Sequence, residues 1–266
     1  MKIAIIGTGN LGKSIAKGLI TNNAITTLYL TKRNVDSISE FDGYKNVTIT
    51  PDNVLAVQQS DILIFAVQPA HFESILNDIK PFLTEKHVVL STITGYTIPK
   101  IESQIGTDQF TIRAMPNTAI AVGKSMTCLC SNSQGEKRIK IAQAIFNRLG
   151  HSLVIPEAQM QAATVVCASG IAFWMRLIRA TTQAAIQLGF DSKEAQELAM
   201  HTCEGAANLL ITNGNHPEEE IDLVTTPKGC TIEGLNEMEH KGLSSSLIQG
   251  MVASFNKINN IKKEQI

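Results

Sequence analysis

The sequence predicts an α/β protein with a doubly wound, mostly parallel sheet followed by an all-α domain. Three observations predict it. Short β-branched runs alternate with amphipathic stretches up to about residue 155, which is the order of βαβ units. A glycine-rich turn directly follows the first apolar run. After about residue 156 the strand patterns stop and long helical patterns begin.

The spacing of apolar residues predicts the individual elements. Strands are predicted at residues 2–6, 27–30, 62–66, 88–92, 111–114, 125–130 and 152–155. Helices are predicted at residues 10–22, 51–58, 72–81, 99–105, 135–149, 157–188, 191–212, 231–240 and 243–263. The start of the helix at 191 rests on Asp191-Ser192-Lys193-Glu194, which has the form of a capping box. We expect a domain boundary between residues 1–155 and 156–266.

Composition and charge limit the classes of function. The chain has 266 residues, of which 44% are hydrophobic and 18% charged, as is usual for a soluble globular protein. The net charge of -1 gives no overall field that would attract nucleic acid or an anionic membrane. No apolar run approaches the ~20 residues of a membrane span, and the five cysteines lack disulfide or metal-site spacing. We therefore expect a cytosolic protein without nucleic-acid, membrane or metal partners.

A glycine-rich turn carries the strongest local signal. Gly7-Thr8-Gly9-Asn10-Leu11-Gly12 matches G-x-G-x-x-G between an apolar strand and a helix. Gly7 permits the tight turn, Gly9 lets the backbone approach a pyrophosphate, and Gly12 lets the helix pack closely on the strand. The N–H groups at the start of the helix attract phosphates. The motif predicts a Rossmann-type dinucleotide site in residues 1–155, and a glycine-rich turn without a ligand is the alternative.

The end of the second predicted strand indicates which dinucleotide binds. A free ribose 2′-hydroxyl is usually bound there by Asp or Glu, but the chain reads Thr31-Lys32-Arg33-Asn34. Two cations and a hydroxyl suit a 2′-phosphate better. The sequence therefore predicts that NADPH is accepted and preferred, with NADH as a second cofactor. A solvated basic turn is the alternative.

Three further loops follow strands at the carboxyl edge of the predicted sheet. They contain Ala66-Val67-Gln68-Pro69, Ser91-Thr92-Ile93-Thr94-Gly95 and Arg113-Ala114-Met115-Pro116-Asn117-Thr118. Open α/β sheets bind ligands at this edge, so the loops are predicted to form a cleft that a nicotinamide can enter. Each loop by itself is also compatible with ordinary turn chemistry.

A Pro/Gly loop is the candidate substrate site in the helical half. Residues 224–232 read Val-Thr-Thr-Pro-Lys-Gly-Cys-Thr-Ile and lead into a predicted helix. Backbone N–H groups and a hydroxyl there suit a small carboxylate, and an ordinary helix start capped by Thr231 fits equally well. No Ser-His-Asp order, carboxylate pair or H-x-x-x-H pattern occurs, so the cofactor is expected to supply the chemistry.

The predicted helix at 157–188 is apolar on most of its faces, with Val165, Ile171, Trp174 and Ile178 among its residues. Such a helix is either central in its domain or buried against another chain. A helical domain of only about 110 residues is too small to bury it alone. We therefore expect at least a homodimer, formed through the helical half.

Five segments together identify a family. They are 6–11, Ala66-Val67-Gln68-Pro69, Arg113-Ala114-Met115-Pro116-Asn117-Thr118, Ala168-Ser169-Gly170-Ile171-Ala172-Phe173 and the loop at 224–232. In order and spacing they resemble the signature segments of pyrroline-5-carboxylate reductases over nearly the whole chain. The resemblance implies a Rossmann domain and a helical dimerisation domain that binds substrate. It also implies homodimers, which in this family commonly assemble as rings of five dimers.

The resemblance also implies which residues contact the ligands. Cofactor contacts are implied for Ile6, Gly7, Thr8, Gly9, Asn10, Leu11, Arg33, Asn53, Ala66, Val67, Gln68, Pro69, Thr92, Ile93 and Thr94, and Lys32 joins them as the second cation at the end of the second predicted strand. Substrate contacts are implied for Glu157, Cys230 and Thr231, with Ser169 and Gly170 close by. In the expected reaction the backbone N–H groups of Gly229, Cys230 and Thr231 bind the carboxylate, and Thr231 is the catalytic residue.

The chain departs from the family pattern at five positions, which are Gln68, Ala119, Ala168, Ile171 and Lys228. The family usually has Lys, Pro, Gly, Pro and Gly there, in that order.

The expected reaction is the NAD(P)H-dependent reduction of 1-pyrroline-5-carboxylate to L-proline, the last step of proline biosynthesis. The alternatives are a reductase of a related cyclic imine or β-hydroxyacid and a non-catalytic nucleotide-binding paralogue. The predicted helix at 157–188 contains no lysine, which argues against a hydroxyacid enzyme.

Overall fold

An eight-stranded sheet forms the N-terminal half of the chain. The computed structural model describes residues 1–22 and 25–264, with side chains to residue 259. The strand order is β3-β2-β1-β4-β5-β6-β7-β8, and all neighbours are parallel except β6 and β7. The strands are β1 (Lys2–Ile6), β2 (Thr27–Thr31), β3 (Val47–Thr50), β4 (Ile62–Phe65), β5 (Val88–Ser91), β6 (Phe110–Met115), β7 (Ser125–Ser131) and β8 (Gly150–Val154).

Helices follow most of the strands and form the C-terminal half. The α-helices are α1 (Asn10–Thr21), α2 (Asn53–Gln58), α3 (Pro69–Ile79), α4 (Ile98–Ile105), α5 (Ile139–Phe146), α6 (Met160–Ala163), α7 (Gly170–Gln187), α8 (Ser192–Asn213), α9 (Pro217–Val224), α10 (Cys230–His240) and α11 (Leu243–Glu264). Short 3-10 helices lie at Val35–Phe41, Lys80–Phe82, Thr118–Val122, Gly135–Arg138 and Glu157–Gln159.

Both faces of the sheet are covered, which confirms the doubly wound prediction. Side chains of β1 alternate between the faces, so Ile3 and Ile5 belong to one buried cluster and Ala4 and Ile6 to the other. Helices α1 and α5 cover the first cluster. Helices α2, α3 and α4 cover the second.

The strand order reverses at β1, which pairs with β2 on one side and with β4 on the other. The loops that leave β1 and β4 therefore diverge to opposite faces of the sheet. A crevice opens between such loops at the carboxyl ends of the strands, and it is where open α/β sheets bind ligands. This position is where the sequence predicted the dinucleotide.

One strand and one separate α-helix were absent from the sequence prediction. Strand β3 is only four residues long at the sheet edge and is partly buried, so its apolar alternation is too short to stand out. Helix α9 is eight residues long, with three acids in its first turn and no buried residue, so no apolar face marks it. His216 and Glu219 form a capping box at its start, a signal that apolar spacing does not detect.

The predicted continuous helix at 157–188 was wrong in detail. The chain forms the 3-10 helix Glu157–Gln159, then α6, a π-helical segment at Thr164–Ser169, and α7. The Thr164 hydroxyl donates to the Met160 carbonyl at 2.8 Å, so it competes for an acceptor of the α-helical ladder. Such π-helical turns are frequent at functional sites.

The chain divides into two compact units, which are residues 1–169 with 258–266 and residues 170–257. The second unit buries few of its own residues, Gly170, Thr182, Ala195 and Ala199 among them. Many of its large apolar side chains are exposed, including those of Trp174, Met175, Leu198, Leu209, Ile211, Leu223, Ile248 and Val252. An apolar surface of this extent marks an interaction site.

One helical run, Glu157–Gln187, is long and apolar enough by length and composition to cross a membrane, with a mean hydropathy of 1.4. No such run was expected from the sequence, because polar residues interrupt the apolar ones and only the mean hydropathy of the run is high enough for a span. This is weak evidence for a span, since a helix that packs against protein meets the same test.

Candidate functional site

The glycine-rich turn has the geometry that the motif predicts. Gly7 has a φ of 91°, in the region that favours glycine. A Cβ there would lie 2.2 Å from Cγ1 of Val67, so the turn packs directly against the loop that follows β4. A Cβ at Gly12 would lie 2.6 Å from the Gly7 carbonyl oxygen, which explains the close approach of α1 to β1.

Gly9 differs from its two neighbours in the motif, because a Cβ built there meets nothing within 4 Å. It caps α1, and no side chain in the described structure bonds to this cap. The first turn, Asn10-Leu11-Gly12-Lys13, contains no acid. The Lys13 N–H donates to the Gly9 carbonyl at 2.8 Å. The N–H groups of Asn10, Leu11 and Gly12 precede it at the positive end of the helix dipole, an arrangement that fits a pyrophosphate.

Two threonines connect the turn to β2. The Thr8 N–H donates to the Thr31 carbonyl at 2.9 Å, and the Gly7 N–H donates to the Thr31 hydroxyl at 3.2 Å. The Thr8 hydroxyl is buried and has no hydrogen-bond partner in the part of the chain that the structure describes. A buried polar atom of this kind is costly unless a ligand pairs it, so its place at the turn also fits a bound nucleotide.

A cavity of about 630 Å³ opens beside this turn. Its volume is in the range of small-molecule and cofactor sites. It is lined by Gly7, Thr8, Gly9, Thr31, Lys32, Arg33, Asn34, Pro51, Asn53, Ala66, Val67, Gln68, His71, Ser74, Ile75 and Asp78. The structure thus brings together nine of the predicted cofactor residues from the ends of β1, β2 and β4 and from the start of α2.

Seven predicted cofactor residues do not line this cavity: Ile6, Asn10, Leu11, Pro69, Thr92, Ile93 and Thr94. Ile6 is buried in β1, and Pro69 begins α3. The Thr92 hydroxyl donates to the Phe65 carbonyl at 2.8 Å, so it links β5 to β4. Asn10 and Leu11 lie in the first turn of α1.

One wall of the cavity was not predicted from the sequence. His71, Ser74, Ile75 and Asp78 lie on one face of α3 at helical spacing and line the cavity. Their spacing of i, i+3, i+4 and i+7 marks one helix face. The sequence alone does not show that this face meets the cavity, because the three polar residues also suit a solvated surface.

Positive charge at the cavity comes from Lys32 and Arg33 at the end of β2, and negative charge comes from Asp78 on α3. Lys13 on α1 instead bonds Glu40 at 2.7 Å, as does Lys17. The hydrogen bonds from Lys13 and then Lys17 lower the pKa of Glu40 to about 2, so this carboxylate stays ionised and holds both lysines.

A second cavity, of about 270 Å³, lies near the end of β6. Arg113 lines it and is 4% exposed. Its Nη1 donates to Oε1 of Glu157 at 2.8 Å, and the Ile98 N–H donates to the same oxygen at 2.7 Å. The predicted substrate residue Glu157 therefore joins β6 to the start of α4. Ser169 ends the π-helical segment and Gly170 begins α7.

The predicted loop at 224–232 has an unusual backbone in the second unit. Helix α10 begins at Cys230 and is capped by Gly229, without a side-chain bond to the cap. Thr231 therefore neither begins nor caps this helix, contrary to the sequence analysis. A Cβ at Gly229 would lie 2.4 Å from the Thr226 hydroxyl. Lys228 has a positive φ of 61°, unlike the other non-glycine residues that the structure describes. A positive φ favours glycine, which the family usually has at this position.

Comparison with protein families gives two matches. Residues 157–261 match the family described as pyrroline-5-carboxylate reductase dimerisation. Residues 2–95 match the family described as NADP oxidoreductase, coenzyme F420-dependent. The first match spans most of the helical half, and the second spans the glycine-rich turn, Lys32, Arg33 and the loop after β4.

Two similar sequences are from Dictyostelium discoideum. Pyrroline-5-carboxylate reductase 2 is 38% identical over 286 residues, which cover 97% of this chain and 96% of the relative. Pyrroline-5-carboxylate reductase 1 is 43% identical over 271 residues, which cover 96% of this chain and 49% of the relative. The chain thus spans about half the length of pyrroline-5-carboxylate reductase 1.

A solved structure supports the fold. The crystal structure of Plasmodium falciparum pyrroline carboxylate reductase with NADP bound is 25% identical to this chain. The alignment covers 98% of each chain with a TM-score of 0.85. That structure contains NADP, and the family matched at residues 2–95 is described as an NADP oxidoreductase.

Proposed function

Because the chain belongs to the pyrroline-5-carboxylate reductase family, we propose that it reduces 1-pyrroline-5-carboxylate to L-proline with NADPH or NADH. The members of this family are oxidoreductases. The observation that carries the proposal is the cavity at the ends of β1, β2 and β4, with an open Gly9 and the unpaired Thr8 hydroxyl in its wall. When bound, the nicotinamide supplies the hydride.

Nucleotide binding is proposed to rest on three groups of residues. The N–H groups at the start of α1 and the Thr8 hydroxyl hold the phosphates. Asn53 and the segment Ala66–Pro69 contact the ribose and the bases. Thr92, Ile93 and Thr94 are proposed to lie against the nicotinamide half, beyond the cavity described above.

NADPH is the proposed preferred cofactor. Lys32 and Arg33 line the cavity where a ribose-binding acid otherwise ends β2. Asp78 lines the same cavity from α3, and it is the acid available to a free 2′-hydroxyl. Because a 2′-phosphate gains charge-assisted hydrogen bonds from two cations, the balance favours NADPH, and NADH remains a weaker cofactor.

The imine acid is proposed to bind the substrate residues that the family resemblance implies. The N–H groups of Cys230 and Thr231 lie at the start of α10, which has no side-chain cap, and this suits a small carboxylate. The Gly229 N–H instead donates to the Thr226 carbonyl at 2.9 Å, so Gly229 is proposed to shape the loop beside the substrate. The Thr231 hydroxyl is proposed to bond the ring nitrogen. Glu157 uses Oε1 for Arg113 and Ile98, so its proposed contact with substrate is through Oε2. Ser169 and Gly170 complete the proposed set.

The protein itself then contributes to catalysis by binding and orienting the imine and the nicotinamide. A protonated cyclic imine is a good electrophile near neutral pH, so the site requires no strong acid. Holding the imine carbon against the nicotinamide contributes roughly 7–11 kcal/mol to lowering the barrier. His71 lines the nucleotide cavity, but no histidine is assigned a step in this scheme.

We also propose a cytosolic homodimer formed through residues 156–266, and further assembly of dimers into rings. Residues 1–155 are then the dinucleotide-binding domain. The exposed apolar side chains of the second unit support the dimer, because that unit buries few residues alone. The match of residues 157–261 to a dimerisation family supports the same face.

A cofactor-oxidation assay tests the reaction. NADPH consumption that depends on 1-pyrroline-5-carboxylate is the expected result. Consumption with a different cyclic imine alone would assign a related reductase. Nucleotide binding without consumption for any imine would assign a non-catalytic paralogue, which the departures at Ile171 and Lys228 make the main rival.

A further inference from the structure

Two thiols meet between β7 and the π-helical segment. The Sγ atoms of Cys128 and Cys167 lie 3.9 Å apart. Cys128 is buried in β7, whereas Cys167 is partly exposed, and both are free thiols. Met115, Met160 and Cys130 belong to the same buried cluster. The two sulfur atoms are thus in contact in a sulfur-rich, apolar setting, and one of them is open to solvent.

We propose that Cys128 and Cys167 form a reversible oxidation site at which a hydroperoxide converts the two thiols to a disulfide. In the first step the Cys167 thiolate attacks one peroxide oxygen. The O–O bond breaks, Cys167 becomes a sulfenic acid, and the hydroxide that leaves becomes water with the proton that Cys167 lost on ionising. In the second step the Cys128 sulfur attacks the Cys167 sulfur, the S–S bond forms, and the hydroxyl leaves as water with the Cys128 proton. Two sulfur atoms lose two electrons in total, and hydrogen peroxide becomes two waters.

The order of these steps follows from exposure and charge. Cys167 is the more accessible thiol, and the hydrogen bond from Cys128 lowers its pKa to about 7. The same contact, followed by burial, raises the pKa of Cys128. Cys167 therefore provides the thiolate that attacks peroxide, and Cys128 remains the protonated thiol that resolves the sulfenic acid. Burial raises the pKa of the nearby Cys130 to about 11, so Cys130 is a poor competitor.

The fold indicates which side moves when the bond forms. The Sγ atoms must approach from 3.9 Å to about 2.0 Å. Cys128 is fixed, because β7 pairs with β6 on one side and with β8 on the other. Cys167 lies in the π-helical segment, where the regular α-helical ladder is interrupted. The side-chain amide of Asn117 donates to the Cys167 carbonyl at 3.2 Å, so this segment is also tied to the loop after β6.

Movement of the π-helical segment reaches the proposed substrate residues. The segment ends at Ser169, and Gly170 follows it. This consequence rests on the proposed function, in which both residues contact the imine acid. Because a misplacement of ~1 Å can cost up to ~100-fold in rate, the disulfide is expected to lower turnover by roughly 10- to 100-fold. A dithiol reductant should restore the activity.

Peptide mapping of the oxidised, full-length oligomer tests the site directly. The enzyme is treated with hydrogen peroxide, alkylated and digested with trypsin under non-reducing conditions. The expected product is a linked pair of peptides, residues 125–137 and residues 149–176, which separates after reduction. This result does not depend on any enzymatic activity, so it distinguishes failure of the oxidation site from failure of the proposed reaction.

Serine variants identify the thiols, since Cys128 and Cys130 lie on the same peptide. Cys130→Ser is the matched control, because it is on the same strand and is equally buried, and it should retain the linked peptides. Cys128→Ser and Cys167→Ser should each abolish the linked peptides. They should also abolish the recovery of activity by a dithiol reductant. Absence of the link in the unmodified sequence, or its persistence in Cys128→Ser, would overturn the site. Linked enzyme with unchanged turnover would overturn the coupling to Ser169 and Gly170.

Discussion

Arg113 and Glu157 form an ion pair in the N-terminal unit, with Nη1 of Arg113 2.8 Å from Oε1 of Glu157. The arginine is 4% exposed, and the same carboxylate oxygen accepts the Ile98 N–H at the start of α4. The carboxylate therefore has a structural task in addition to its proposed contact with substrate.

Removal of this carboxylate should destabilise the fold. We expect Glu157→Ala to lower the free energy of unfolding by about 3 kcal/mol, because it leaves the Arg113 charge buried without its partner. Glu157→Gln is the control, since its amide oxygen still accepts both N–H groups, and it should cost about 1–2 kcal/mol. Denaturant unfolding measures both variants. An unchanged midpoint for Glu157→Ala would show that the ion pair does not support the fold.

Arg33 is predicted to recognise the 2′-phosphate. Arg33→Ala should weaken NADPH binding by ~1.5–3 kcal/mol, the contribution of a charge-assisted hydrogen bond, and leave NADH binding nearly unchanged. Titration of the variant with each nucleotide measures the difference, with NADH as the internal control. Equal losses for the two nucleotides would contradict this role.

The exposed apolar surface of the second unit predicts the oligomeric state. Light scattering at micromolar concentration should give a mass of at least twice the 28.8 kDa of one chain. Trp174→Glu should shift the protein toward the monomer, because it places a charge on an apolar interface. Gln196→Glu adds the same charge at an exposed position on α8 and should leave the oligomeric state unchanged. A folded monomer of the unmodified sequence would refute the dimer.

Thr231 is predicted to act in the chemical step. If its hydroxyl bonds the ring nitrogen more strongly in the transition state, Thr231→Ala should lower turnover by ~10- to 100-fold, or ~1.4–2.7 kcal/mol. NADPH affinity should stay within about twofold, because the change affects the transition state and not nucleotide binding. Thr231→Ser keeps the hydroxyl and should retain most of the rate.

Melting temperature separates this role from a structural one. Gly229 caps α10 without a side-chain bond, so loss of the Thr231 hydroxyl should change stability little. A less stable Thr231→Ala protein with normal turnover would assign the residue to the fold instead.

The elements that bury an apolar face could be predicted from the sequence. Strand β1 and helix α1 have clear periodicity, and both lie within one residue of their predicted bounds. Strand β3 and helix α9 could not, because one is a short edge strand and the other is a short helix with no buried residue. The π-helical segment at Thr164–Ser169 is apolar like the helices beside it, so apolar spacing does not distinguish it from an α-helix.

The candidate site was predictable where a motif fixes the backbone. The roles of Gly7, Gly9 and Gly12 follow from G-x-G-x-x-G. The structure has the tight turn at Gly7 and the close packing at Gly12, and it leaves space at Gly9. The wall formed by α3 was not predictable, because it depends on how the helix packs against the sheet. The contact between Cys128 and Cys167 was not predictable either, since 39 residues separate them.

Isotope transfer tests the proposed reaction most directly. The protein is incubated with 1-pyrroline-5-carboxylate and NADPH that carries deuterium at C4 of the nicotinamide ring, and the product is analysed by mass spectrometry and NMR. The account predicts L-proline with a single deuterium at C5, formed in step with the loss of NADPH. NADPH that binds with normal affinity but yields no labelled proline would contradict it.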